Sequence, residues 1–132
     1  MSPPKKNIVF VCVENSNRSQ MAEACARMHG ADQVNAYSAG SRPSGKVNPK
    51  AIAAMKERGY DLTTHASKSL DDLPDVEWDY AITMGCGDEC PNLRARKRDD
   101  WAIPDPKNLE AGEFNTVRDL IEEKVKNLLA EI

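Results

Sequence analysis

The residues best suited to chemistry stand in the run Cys12-Val-Glu-Asn-Ser-Asn-Arg18-Ser19, directly after the apolar stretch Ile8-Val9-Phe10-Val11. A cysteine thiolate is a strong nucleophile, and arginine is a planar, permanent cation that clasps oxyanions. The run reads as a loop joining a buried strand to a helix that begins near Arg18. Such a loop points successive backbone N–H groups inward beside a positive helix end, so it can hold an anion. On this reading Val13, Glu14, Asn15, Ser16, Asn17 and Arg18 form an oxyanion-binding loop, and Cys12 is the nucleophile at its start. The inward amides, Arg18 and the helix end favour the thiolate, and Ser19 can donate a hydrogen bond to the same sulfur. Glu14 is expected to point to solvent. Taken alone, a cysteine at a strand end is often a small buried hydrophobe, and cysteine-x5-arginine is a loose pattern. Its placement between strand and helix makes it specific.

Three further groups carry chemistry. Cys86 and Cys90 lie four residues apart between Gly85 and Pro91. They read as a redox pair, as half of a zinc site, or as two unreactive loop thiols. Zinc needs further ligands, and neither of the two histidines, His29 and His65, has a matching spacing. No metal and no bound cofactor is expected. Asp105 precedes Pro106, a turn-forming pair after an expected strand, and is a candidate acid. Arg94, Arg96, Lys97 and Arg98 form a basic run beside the two cysteines. It reads as a solvated loop, or as a surface that draws in oxyanions or helps dock a reductant. Cys25 shares an apolar helical stripe with Met21 and Met28 and is assigned to core packing.

The elements that must position these groups alternate. Strands are predicted at about 7–12, 35–39, 80–84 and 100–103, and helices at about 17–29, 48–58 and 115–131. Residues 60–75 hold short turns. On the first helix Gln20, Glu23 and Arg27 fall mostly outside the apolar stripe. Alternating strands and helices predict an α/β fold, a four-stranded parallel sheet in a three-layer α/β/α arrangement. The ends of parallel strands share one edge, which gathers Cys12, Cys86 and Asp105.

The bulk properties set no other course. The 132 residues predict one domain, with residues 1–6 as a floppy lead-in. An apolar fraction of 40%, a charged fraction of 30% and a net charge of −3 describe an ordinary globular protein with no pull toward nucleic acid or anionic membrane. No apolar run approaches the roughly 20 residues of a spanning helix, and no signal peptide is recognisable. Cytoplasmic residence, reduced thiols and a monomer are the expectations.

The string VCVENSNRSQMAEA (residues 11–24) resembles the active-site loop of the thioredoxin-coupled arsenate reductases, which share a fold with low-molecular-weight protein tyrosine phosphatases. Further matches are Tyr37-Ser-Ala-Gly40, Val47-Asn-Pro-Lys-Ala51, His65-Ala-Ser67, Thr83-Met-Gly-Cys86 through Cys90-Pro91, and Trp101 with Asp105-Pro106. The resemblance implies that Cys12 attacks arsenate while Arg18 and the loop amides bind it, and that Asp105 is the general acid. It further implies a Cys12–Cys86 disulfide on release of arsenite, then a Cys86–Cys90 disulfide that thioredoxin reduces; glutaredoxin or a small thiol would be an alternative reductant. Four residues span roughly 13 Å in a strand but about 6 Å in a helical turn, and only the second is within disulfide range. With Gly85 and Gly87 beside Cys86, this predicts a mobile segment over about 85–98.

The resemblance also assigns Asn15, Glu23 and Ser38 to support of the loop. Some members bind a potassium ion nearby through an aspartate where this chain has Lys68. Its ammonium is expected either to take the cation's place or to be simply solvated. The alternative enzyme is a low-molecular-weight tyrosine phosphatase, which uses the same cysteine, arginine and aspartate but needs no Cys86–Cys90 pair. Such phosphatases commonly carry aromatic residues where this chain has Lys107-Asn108, and often a second loop cysteine where it has Asn17. The non-enzymatic alternative is a thiol redox sensor or oxyanion-binding protein.

Overall fold

The computed structural model describes residues 5–85 and 94–132. Four strands form one parallel sheet in the order β2-β1-β3-β4: β1 Lys6–Cys12, β2 Val34–Gly40, β3 Trp78–Thr83 and β4 Ala95–Asp100. The helices are α1 Arg18–Gly30, α2 Pro49–Lys56 and α3 Ala111–Glu131, with single 3-10 turns at Leu62–Thr64 and Leu70–Asp72.

The period of two along β1 divides the core. Ile8, Phe10 and Cys12 face a large cluster built with Met21 and Cys25 of α1, Met55 of α2, and Phe114, Ile121 and Val125 of α3. Val9 and Val11 face the other way, onto Trp78 and Ala81, where Tyr37, Leu70, Leu73 and Val76 cover them. The result is the expected three-layer arrangement, with unequal layers: three α-helices on one face, and the Leu70–Asp72 turn with its flanks on the other. A strand buried on both faces must be apolar throughout, and residues 8–12 are fully or almost fully buried.

Caps and contacts set the helix ends. Asn48 caps α2 by accepting from Lys50 N at 2.9 Å, with Pro49 at the first helical position. Arg118 of α3 is buried and donates from Nη1 to Ala54 O at 3.0 Å, which satisfies a carbonyl in α2.

Four expectations are corrected. The fourth strand is Ala95–Asp100, not 100–103. It lies at the sheet edge with nearly all its side chains exposed, so it carries charges where a buried strand would carry apolar residues. Trp101 and Ile103, which suggested the strand, are buried in the irregular segment that follows it, where Ile103 N donates back to Trp101 O. Residues 95–98, placed in a mobile segment and a solvated basic loop, are strand: pairing to β3 holds them, and Arg96 lies 3.7 Å from both Glu77 and Asp79. The last helix starts at Ala111 instead of 115. On α1, Gln20 and Glu23 are buried along with the apolar stripe, because β2 and the chain beyond it cover a second side of that helix. The Cys86–Cys90 expectation lies outside the described residues.

Candidate active site

Six consecutive carbonyls fix the loop between β1 and α1. Cys12 O accepts from Ser41 N, Val13 O from Arg42 N, Glu14 O from Ser44 N and Ser67 Oγ, Asn15 O from Gln20 Nε2, Ser16 O from Asn48 N, and Asn17 O from Met21 N, all at 2.8–3.2 Å. In a trans peptide each N–H points opposite to the carbonyl before it. Engaging these carbonyls on the outside therefore turns the N–H groups of residues 13–18 to the inside of the loop. The ring of donors follows from where the acceptors go.

Two residues make this path possible. Asn15 adopts a left-handed φ of 50°, which asparagine tolerates better than most side chains. Gly40, at the end of β2, lies under the loop: a Cβ there would stand 2.5 Å from Val13 O and 2.9 Å from Asn15 N. Only glycine lets the backbones approach so closely.

A buried relay of donors ends on the sulfur of Cys12. Gln20 Nε2 and Lys68 N donate to Asn15 Oδ1, each at 2.8 Å. Asn15 Nδ2 in turn donates to Ser19 Oγ at 2.8 Å. Because Ser19 Oγ is already an acceptor there, its own proton is available for Cys12 Sγ, 2.8 Å away. Each member polarises the next. Behind the relay, His65 Nδ1 donates to Gln20 Oε1 at 2.8 Å, and its Nε2 lies 2.6 Å from Tyr60 Oη. Burial holds the His65 pKa below the usual imidazole value, so the neutral ring accepts the tyrosine proton.

Arg18 is buried against the neighbouring strands. Its Nη1 donates to Met84 O at 2.6 Å and Ile103 O at 3.1 Å, which ties the guanidinium to the ends of β3 and of the segment after β4. Gly85, with a φ of 81°, makes the turn that leaves this place. The walls enclose a cleft of about 530 Å³, lined by Cys12, Val13, Glu14, Ser16, Asn17, Arg18, Gly85, Ile103, Pro104 and Asp105. Asp105 is exposed, and its Oδ1 accepts from Lys107 N at 3.1 Å. Asn17 also lines the cleft, and its buried Oδ1 has no hydrogen-bond partner among the described residues. A nucleophile, an arginine, a donor ring and a carboxylic acid around one void are suited to attack on a small oxyanion.

The model of the low molecular weight phosphotyrosine protein phosphatase family matches residues 7–132. The chain belongs to that family. Within it, the chain is 42% identical over 127 residues to an arsenate reductase of Staphylococcus aureus (strain Newman), covering 93% of this chain and 95% of that one. A solved arsenate reductase in its phosphate-binding state superposes with a TM-score of 0.86 at 37% identity, over 96% of this chain and 98% of the other. A thioredoxin-dependent arsenate reductase of Corynebacterium glutamicum gives a TM-score of 0.77 at 27% identity, over 99% of this chain and 63% of its own.

In this family member the residues singled out from sequence fall into two shells and a remainder. Six loop residues and Asp105 line the cleft, while Asn15, Ser19, Glu23, Ser38 and Lys68 stand behind it. Glu23 is buried and accepts from Ser38 Oγ at 2.6 Å and Arg27 Nε at 3.0 Å. The Lys68 ammonium donates to Ala66 O at 3.0 Å and lies 3.7 Å from Glu23 Oε1. A resident ammonium on this carboxylate does not fit a potassium ion at the same place. Cys25 is fully buried, and desolvation pushes its thiol up to about 12, in keeping with core packing.

Glu14 is exposed to solvent as expected, and there it is paired to Lys107, with Oε1 and Nζ 3.2 Å apart. Gln20, Gly40 and Lys107 were not marked by the sequence as parts of a site. Gln20 reads as an outward helical position until Ala66 and His65 are folded over it. The Gly40 contact and the Lys107 pair involve elements about 25 and 90 positions away.

Proposed function

We propose that this chain is an arsenate reductase working by a thiol relay and recycled by thioredoxin. The observation that carries the reading is the cleft shared by Cys12, Arg18 and Asp105 in a chain 42% identical to an arsenate reductase. Arsenate binds in the loop, its negative charge met by the inward amides and by Arg18. The Cys12 thiolate attacks arsenic, and Asp105 protonates the departing hydroxide to give water and a thiol–arsenate adduct. Cys86 attacks the sulfur of that adduct. The S–As bond breaks, its electron pair stays on arsenic, and arsenite leaves with a Cys12–Cys86 disulfide behind it. Cys90 then attacks Cys86, freeing Cys12, and the dithiol of thioredoxin reduces the Cys86–Cys90 disulfide. Two electrons leave the protein thiols in each turnover, and thioredoxin returns two. Asn15, Ser19, Glu23 and Ser38 hold the loop in place. Lys68 stands where a potassium ion would otherwise balance Glu23, so activity is expected to be equal in potassium and sodium at constant ionic strength.

The test is arsenate-dependent oxidation of NADPH with thioredoxin and thioredoxin reductase. Cys12→Ser, Cys86→Ser and Cys90→Ser are each expected to abolish multiple turnover, with Cys90→Ser still releasing one arsenite per protein. A protein that hydrolyses aryl phosphates with Cys86→Ser unaffected, and never turns over arsenate, is the phosphatase its family is named for.

A further inference from the structure

Besides the Arg18–Ile103 hydrogen bond, the two walls of the cleft meet through an ion pair at its mouth. Glu14 belongs to the loop that carries Cys12, and Lys107 follows Asp105 by two residues; their side chains lie 3.2 Å apart. The pair is exposed to water, at 40% for Glu14 and 52% for Lys107. Exposed ion pairs are weak and exchange partners at little cost. The two residues are also tied to the chemistry by position, since Lys107 N donates to Asp105 Oδ1.

We infer that Lys107 is a cation parked on Glu14 at the mouth of the cleft, transferred to an inorganic oxyanion when one enters, and that this exchange selects free oxyanions over phosphoesters. The inference rests on the reading of Cys12 as nucleophile and Asp105 as acid. In-line attack by Cys12 directs the leaving group toward Asp105, and so toward Lys107. A free arsenate or phosphate presents an oxygen there, which can accept from the ammonium. A phosphomonoester presents its organic group at the same place, where it meets the Glu14–Lys107 pair and offers no comparable acceptor. A doubly charged oxyanion, already held by Arg18 and the loop amides, outcompetes a single carboxylate for a lysine on a flexible stem. Glu14 then turns to water.

The exchange is measurable without turnover. In a Cys86→Ser/Cys90→Ser protein, iodoacetamide alkylates Cys12, Cys25 being buried with its thiol pushed up to about 12. Inorganic phosphate protects Cys12, and the protection curve gives its affinity. Lys107→Gln is expected to weaken that affinity about three-fold and Glu14→Gln to strengthen it about three-fold, the size of one screened charge near the site. The gain from Glu14→Gln should shrink in the Lys107→Gln background, because no parked cation is left to release. Equal gains in both backgrounds, or no gain at all, overturn the parking. With all four cysteines present, Lys107→Ala should lower the ratio of kcat/KM for arsenate to that for p-nitrophenyl phosphate about five-fold, again by loss of one charge contact; an unchanged ratio overturns the selection. Failure of the wild-type chain to turn over arsenate is a separate result, and it removes the proposed function without touching the phosphate measurement.

Discussion

The two walls of the cleft are built on opposite principles. The loop wall, residues 12–18, is buried at every position but Val13 and Glu14, the carbonyls of residues 12–17 are all engaged, and its side chains are linked through Asn15, Ser19 and Gln20. The opposing wall, residues 101–107, alternates buried Trp101, Ile103 and Pro106 with exposed Ala102, Pro104, Asp105 and Lys107. One wall fixes donors before any ligand arrives, so little reorganisation is needed when charge enters. The other anchors by hydrophobic side chains and leaves the Asp105 carboxyl in water, where the proposed mechanism has it act as the acid. On the proposed mechanism, binding and proton transfer are served by different kinds of structure.

The largest expected effect spans both walls. Arg18→Ala removes the anion's clamp and leaves the Met84 and Ile103 carbonyls unpaired, so arsenate turnover should fall at least about a thousandfold with a clear loss of stability. Activity and urea unfolding measured together check it; a stable and active variant breaks the picture of Arg18 as the joint between the walls. Asp105→Asn separates them: turnover is expected to drop about a hundredfold, as for loss of a general acid, with an unchanged unfolding midpoint. An Asp105→Asn protein as unstable as Arg18→Ala would mean that the second wall is no less integrated than the first.

Smaller effects probe the loop wall from behind. Asn15→Ala leaves the amide of Lys68 without its acceptor and takes one partner each from Gln20 and Ser19, and should cost about 1–3 kcal/mol for one group left unsatisfied. Slower alkylation of Cys12 at constant pH is expected alongside. The smallest is a pH effect. Burial depresses the His65 pKa in the fold, so the unfolded chain binds a proton more readily. The stability from neutral His65 is complete above the unfolded value near 6.5 and declines as pH falls from there. Unfolding at pH 7.5 and 5.5 should show this decline, and His65→Ala should flatten it.

Legibility in the sequence followed burial and locality. Cys12, Arg18 and the loop between them were readable because a two-face apolar strand, a turn-rich run and a helix start lie within about twenty residues. β4 was misplaced because an edge strand carries Arg96-Lys97-Arg98-Asp99 as readily as a loop does, while Trp101 and Ile103 imitate a strand from outside the sheet. Gln20 was misassigned because helical periodicity describes one apolar face, and α1 buries polar side chains on another. The exposure of Glu14 was legible, but its partner was not, because Lys107 lies 93 positions away.

The sequence by itself determined the chemistry-bearing types and the local path: a cysteine, five loop residues and an arginine, strung between a strand buried on both faces and a helix. Tertiary structure alone decided which acceptors and donors those residues meet. Ser41, Arg42, Asn48 and Lys68 reach the loop only because parallel strands bring distant turns to one edge of the sheet. Hydrogen-bond partners are chosen by distance in space, and over dozens of intervening residues a single chain's pattern does not encode them.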